Sequence, residues 1–235
     1  MKKYIVIVLT VLLIFVVGCA ESEVTPEVTP EVAPTATPEA TPEPTPAPEV
    51  RDDILPPDII TGTIEMEDGG IISFELYPDI APQSVRNFVY LARQGFYDGL
   101  RFHRIVRQPN GLQVIQGGCP DGTGRGNPGY SIFGEFEQNG FENNLSHTRG
   151  VISMARAQEP NSAGSQFFIM SGDSLFLDGG YAAFGMVTNG LDVVDRLAAT
   201  PLQADESVAP SDMPVIRSIT IDGDFAFPEP DKLPR

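Results

Sequence analysis

The stretch "GLRFHRIVRQPNGLQVIQGG", residues 99–118, decides how the rest of the chain is read. Two strand-like runs, 101–106 and 112–116, stand on either side of "RQPNG", and the second ends in Gln116 and two glycines. Arg104 lies inside the first run, flanked by Phe102, Ile105 and Val106. A guanidinium set into a wall of sheet has two readings. Taken alone, it is a salt-bridged residue at the rim of a barrel. In company with other polar groups aimed at one place, it is a functional group.

Working outward, the domain is a series of short β-type runs punctuated by glycine. "IITGTIEM" (59–66) and "GIISFELY" (70–77), around Asp68-Gly69-Gly70, predict a hairpin. Further runs occur at 130–133, 151–155, 166–170, 182–187 and 214–221. In "APQSVRNFVYLARQG" (81–95), Pro82 suits a first helical turn, and Val85, Phe88, Val89 and Ala92 recur at helical spacing before Gly95. "LDVVDRLAA" (191–199) predicts a second, shorter helix. Many short strands with two amphipathic helices predict an all-β fold with two helices, a closed β-barrel capped at its ends.

The 235-residue chain carries a net charge of −17, spread as unevenly as its 22 prolines. Residues 20–58 hold ten of the prolines and ten acids against the single base Arg51, whereas 59–235 hold 22 acids against 12 bases. A domain this acidic, with no basic run, argues against nucleic acid or anionic lipid as its main partner. At the start, "MKKYIVIVLTVLLIFVVGC" (1–19) sets two lysines before an apolar run too short to span a bilayer comfortably. Val16-Val17-Gly18-Cys19 resembles the lipobox of bacterial lipoprotein signal peptides. That resemblance implies removal of residues 1–18 and lipidation of Cys19, which would hold the protein on the extracytoplasmic side of a cell membrane. An uncleaved membrane anchor is the competing reading, and it too places the rest of the chain outside the cytoplasm.

"EVTPEVTPEVAPTATPEATPEPTPAPEV" (23–50) has no aromatic residue and cannot bury enough surface to offset its ordering entropy. Residues 19–58 are therefore read as a lipid-anchored Pro/Thr/Glu-rich disordered stalk, residues 59–224 as the folded domain, and 225–235 as a short C-terminal tail. At about 3.1 Å per residue, the roughly thirty residues 21–50 of the stalk reach up to roughly 90 Å.

Other chemistry finds little support. "GGCPDGTGRGNPGY" (117–130) superficially matches a phosphate-binding glycine motif, but no helix pattern and no Gly-Lys-Ser/Thr follow, so it reads as a long surface loop. His103 and His147 are the only histidines, with no partner at metal-ligand spacing, and His103 reads as a hydrogen-bonded barrel residue. Cys119 reads as a small residue in a turn. "SAGSQF" (162–167) lacks the nucleophile-elbow pattern.

"GFYDGLRFHRIV" (95–106), "QGG" (116–118), "GVISMARAQEPNSAGSQFFIM" (150–170) and "FLDGGYAAFG" (176–185), in that order, resemble the cyclophilin family of peptidyl-prolyl cis–trans isomerases. The resemblance runs from about Ile59 to Ile221. It implies an eight-stranded antiparallel barrel with two capping helices, no cofactor or metal, proline-containing polypeptides as substrates, and a monomer. Residue by residue, Arg104 matches the family's catalytic arginine, and Gln116 the glutamine that orients it. Val114 falls where the family often has methionine. Ala155 and Arg156 match a short edge strand whose backbone holds the peptide, and Gln166 matches a substrate contact. Phe168 matches the floor of the proline pocket, and Phe176, Leu177 and Tyr181 its far wall and rim.

The chain departs from the family pattern in several places. "RQPNG" enlarges the loop between Arg104 and Gln116 by four residues, and Leu112 or Gln113 stands where the family usually has an aromatic wall. Phe176 replaces a common tryptophan, which implies weaker cyclosporin binding, and Tyr181 replaces a common histidine. An isomerase for exported proteins is the leading expectation. The alternatives are a non-catalytic proline-peptide binding module, motivated by the enlarged loop, and a purely structural surface protein.

Overall fold

Strand β1 (Ile60–Met66) shows how the sheet is made: Ile60, Ile64 and Met66 are buried while Thr61 is exposed and Thr63 and Glu65 are half-buried. It pairs with β2 (Ile71–Leu76) as the predicted antiparallel hairpin, Ile64 opposite Ile72 and Ile60 opposite Leu76. The computed structural model describes residues 57–203 and 208–234. The leader, Cys19 and nearly all of the stalk lie outside the described residues.

After β2 come α1 (Pro82–Arg93), β3 (Arg104–Arg107), β4 (Gln113–Gly117), β5 (Val151–Met154), β6 (Phe167–Met170), β7 (Ala183–Asn189), α2 (Leu191–Ala198) and β8 (Ile216–Ile221). They form one eight-stranded antiparallel sheet in the order β3-β4-β6-β5-β7-β2-β1-β8. The architecture is mostly β with two helices, but the expected closed barrel is not what forms. The sheet curls strongly and stays open between β3 and β8. Among the described residues those edges are joined by an isolated bridge between Arg101 and Val215 and by bonds from Gly99, Phe102 and Ile216, in the segment before β3 and at the very start of β8. Pro214 supplies no N–H to extend that bridge into a ladder, and Gly99, at φ +76°, breaks the extended geometry on the other side. The run at 130–133 also falls short of a strand, making only isolated bridges from Ser131 to Leu233 and from Ile132 to Ala163.

The concave face holds the main core. Helix α1 plugs it with Val85, Phe88, Val89 and Ala92, the spacing expected from the sequence. The Phe88 ring lies 5.2–5.8 Å from the rings of Phe74, Tyr97, Phe167 and Phe184, mostly in edge-on or tilted contact. Residues 225–234 pack back onto the domain: Phe225 is buried under the Arg93 guanidinium, and Lys232 lies 4.3 Å above the Tyr90 ring.

The start of α1 has no cap of its own, because Ala81 offers no side-chain acceptor. Glu135 supplies one from a distant loop. Its fully buried carboxylate accepts the Gln83 N–H at 2.7 Å and the Ser84 N–H at 2.8 Å, with the Ser84 hydroxyl at 2.7 Å. Burial pushes the Glu135 pKa up, while these donors and the positive helix end favour the charged form. Replacing Glu135 with alanine leaves two helix N–H groups unpaired in the core. The expected loss is about 2–3 kcal/mol of stability, read by chemical denaturation, and a loss under about 0.5 kcal/mol refutes the capping role.

Candidate active site

Strand pairing brings the motifs together. Arg104 on β3 stands opposite Gln116 on β4, and Gln116 stands opposite Phe168 on β6. These three residues therefore form one row across the outer face of the sheet. Two residues along, Val106, Val114 and Met170 form the next row on the same face. Ile105, Ile115 and Ile169 alternate with them and belong to the main core. This resolves the arginine in the apolar run: it stands on the face opposite that core.

Gly118 lets β4 leave the sheet beside β6. It has φ +82°, and a Cβ there would fall 2.4 Å from the Ser165 carbonyl oxygen.

The outer face carries its own apolar cluster of Val114, Val151, Phe168, Met170, Leu177 and Ala183, with Leu112, Ala155 and Tyr181 partly buried against it. It floors a groove of about 820 Å³ that Arg104, Gln116, Val114, Ala155, Arg156, Phe168, Leu177 and Tyr181 also line. Gln166 lies next door, in a cavity of about 330 Å³ that shares Gln116, Ala155 and Arg156 with the groove. Phe176 is the expected site residue that the structure does not bring in: it is 67% exposed and lines neither cavity.

The enlarged loop is the tight end of a regular hairpin. Gln108 bonds back to Leu112, Asn110 takes a left-handed conformation at φ 58°, and register is kept to Arg107 opposite Gln113. Leu112, not Gln113, provides the groove wall. The Gln113 side chain turns away toward Gly172, where an added Cβ would meet its amide oxygen at 2.6 Å.

Ala155 and Arg156 differ from expectation as well. They follow β5, which is an interior strand between β6 and β7, so no edge strand is present there. The Arg156 guanidinium donates to the carbonyls of Gly180, Ala157 and Gln158 and stacks between the rings of Phe136 and Tyr181 at 4.9 and 4.7 Å. It thereby holds the Tyr181 wall in place.

Arg104 is exposed, and its one side-chain partner is Gln116, with Nη1 donating to Oε1 at 3.2 Å. Among the described residues the ion pairs lie elsewhere, at Arg149, Arg196, Arg217 and Lys232. A guanidinium without a carboxylate keeps donors for something outside the protein.

Under Phe168 lies a brace that separate readings of the two histidines missed. His147 is 1% exposed and its ring stacks on Phe168 at 6.0 Å. Its Nδ1 lies 2.8 Å from the Asp178 carboxylate, and its Nε2 lies 3.0 Å from the Ser153 hydroxyl. Burial lowers the imidazole pKa, with Asp178 opposing, so the neutral ring donates from Nδ1 and accepts from Ser153. The set mimics a Ser-His-Asp triad, but Ser153 is fully buried and meets no substrate. Its work is to hold the pocket floor. Local spacing could not reveal it, because Asp178 lies 31 residues from His147.

His103 is buried in the groove wall, with the Arg101 backbone and the Gln166 side chain beside its ring. Burial lowers its pKa, so it sits in the groove wall as a neutral ring.

Comparison with known proteins agrees with this geometry. The family model described as cyclophilin type peptidyl-prolyl cis-trans isomerase matches residues 61–221. Peptidyl-prolyl cis-trans isomerase B of Bacillus subtilis is 47% identical over 138 residues, covering 59% of this chain and 90% of its own length. A Helicobacter pylori peptidyl-prolyl cis-trans isomerase is 47% identical over 130 residues, covering 54% of this chain and 74% of its own. Among solved structures, a cyclophilin-type isomerase of Cryptosporidium parvum, crystallised in the presence of the dipeptide Ala-Pro, superposes with a TM-score of 0.60 at 32% identity. That match covers 69% of this chain and 99% of the other. With the family model spanning both sides of the groove and the whole open sheet, the chain belongs to the cyclophilin-type peptidyl-prolyl cis–trans isomerases and is an enzyme of the isomerase class.

Proposed function

We propose that the protein accelerates rotation about X-Pro bonds in exported and surface polypeptides, with Arg104 stabilising the twisted amide. The observation that carries this reading is the row Arg104–Gln116–Phe168, which sets a carboxylate-free guanidinium beside an apolar floor. Rotation about a peptide bond meets a barrier of about 18–20 kcal/mol, because the C–N bond has partial double-bond character. At X-Pro bonds the two isomers differ by only about 0.5–1 kcal/mol, so the difficulty is rate. In the twisted transition state resonance is lost and the prolyl nitrogen gains a lone pair. A donor aimed at that nitrogen binds the twisted form better than the planar one.

Arg104 is permanently protonated and carries several donors in a fixed fork. Gln116 takes one of them and orients the rest. Uncatalysed isomerisation takes ~10–100 s, so a turnover of order 10² s⁻¹ needs about 4–5.5 kcal/mol of transition-state stabilisation. A charge-assisted hydrogen bond made mainly in the transition state supplies roughly 1.5–3 kcal/mol. Burying the amide against Phe168, Val114, Leu177 and Leu112 supplies the remainder, since an apolar setting favours the less dipolar twisted bond. Ala155, Arg156, Gln166 and Tyr181 border the peptide's path. No covalent step is required, and the working unit in this proposal is the monomer.

The leader and stalk complete the proposal. Lipidated Cys19 anchors the chain, residues 19–58 space it from the membrane, and residues 59–224 act on proline-containing clients there. The support is the n-region, the short apolar run and the Gly18-Cys19 junction in the sequence.

Two outcomes are expected. With the full chain and an Ala-Pro peptide, Arg104→Ala lowers kcat about 10- to 100-fold while peptide binding persists, and Arg104→Lys recovers only part. If wild type and Arg104→Ala are equally slow while both bind peptide, the protein is a binding module. Mass spectrometry of protein from membranes should find Cys19 at the mature N-terminus carrying acyl chains, and an unmodified chain retaining residues 1–18 rejects the anchor.

A further inference from the structure

Between Cys119 and Arg104 runs a chain of hydrogen bonds whose direction is set at the end away from the arginine, in a loop whose Gly122, Thr123 and Gly124 line the groove. Cys119 is 1% exposed in the glycine-rich loop that follows β4. Its sulfur lies 2.9 Å from Asp121 Oδ1 and accepts the backbone N–H groups of Gly124 at 3.2 Å and Gly126 at 3.3 Å. Asp121 Oδ1 also accepts the N–H of Thr123 at 3.0 Å and its hydroxyl at 2.7 Å. These donors, the Cys119 thiol first, hold the Asp121 carboxyl at a pKa of about 2. The segment contains Gly122, Gly124 and Gly126, so few side chains of its own hold its shape. The sulfur and the carboxylate knot it together.

The carbonyls of Gly124 and Gly126 then matter. Both accept Nε2 of Gln166 at 2.9 Å, which uses both amide protons. Gln166 can therefore offer Gln116 only its oxygen, and Gln116 Nε2 donates to that oxygen at 2.9 Å. With its NH₂ so committed, Gln116 turns its own oxygen to Arg104 Nη1. An amide has nearly the same shape either way round, so packing alone does not choose between its two ends. The two loop carbonyls make the choice. Were Gln166 to flip, its NH₂ would meet that of Gln116, and an NH₂ would in turn be driven toward the guanidinium, donor against donor.

We infer that Cys119 is a positioning residue for Arg104: by gathering the N–H groups of Gly124 and Gly126 on its sulfur, it holds their carbonyls on Gln166 and so fixes which end of Gln116 faces the arginine. The inference rests on the role of Arg104 proposed above. A sulfur suits the task, since its size lets it take two backbone donors at 3.2–3.3 Å from within a tight turn.

The test uses the full chain carrying Cys119→Ala, Cys119→Ser, Gln166→Leu, and Cys119→Ala with Gln166→Leu. Cys119→Ala should lower kcat roughly fivefold at unchanged KM, and Cys119→Ser, which keeps a donor and an acceptor, should recover most of it. In the Gln166→Leu background the link is already cut, so Cys119→Ala should add no further loss. Additive losses in the double variant, or wild-type kcat in Cys119→Ala, overturn the inference. The Arg104 Nε–Hε resonance in ¹⁵N-labelled protein is a second readout: it should move in Cys119→Ala, and an unmoved signal also overturns it. That signal does not depend on turnover. If Arg104→Ala leaves isomerisation intact, the proposed mechanism fails while the relay is still judged by the resonance. Should Cys119→Ala melt more than about 4 °C below wild type, the same comparisons are made with Asp121→Ala, which unties the sulfur's partner through an exposed side chain.

Discussion

Antiparallel register across β3, β4 and β6 is the constraint on which the groove depends. Arg104, Gln116 and Phe168 share one row, and the residues next to them along each strand point to the opposite face. A slip of one residue in β3 would send Arg104 into the core and bring Ile105 to the outside. The main core prevents that slip, since Ile105, Ile115 and Ile169 are each buried to within a few per cent of completely. The interior thus specifies the exterior: apolar burial on one face fixes the position of a charged group on the other.

The two faces have different tasks. The concave side is filled around Phe88 by aromatic rings in edge-on and tilted contact, which fixes the curl of the sheet without closing it. The outer side has a small apolar cluster, and what steadies it is polar. His147 holds Phe168 from behind through Asp178 and Ser153, Arg156 clamps Tyr181, and the two glutamines orient Arg104. Under the proposed mechanism such bracing matters, because a preorganised donor need not reorganise at the moment of rotation.

Elements written in local periodicity were legible from the amino-acid sequence, and those made by long-range contact were not. The β1–β2 hairpin and helix α1 follow from alternation and from 3- and 4-residue spacing. Arg104, Gln116, Phe168 and Leu177 stand in motifs shared with a family, and the fold brings them to one groove. The closed barrel was the error at fold level. It turned on Pro214 and Gly99, whose effect on the β3–β8 seam depends on the three-dimensional approach of two edges. Glu135 caps a helix that begins 53 residues earlier in the chain, and no capping signal stands beside Ala81. Phe176 was placed on the pocket wall by likeness to relatives, yet its ring faces solvent.

The central claim is that this groove lowers the barrier to rotation rather than merely holding proline. Two-dimensional exchange NMR on an Ala-Pro peptide with a catalytic amount of the full-length protein measures that directly. Exchange cross-peaks between the cis and trans forms should appear at mixing times of tens to hundreds of milliseconds, far shorter than the uncatalysed ~10–100 s. Peptide resonances that shift on binding but show no cis–trans exchange on that timescale would contradict the account.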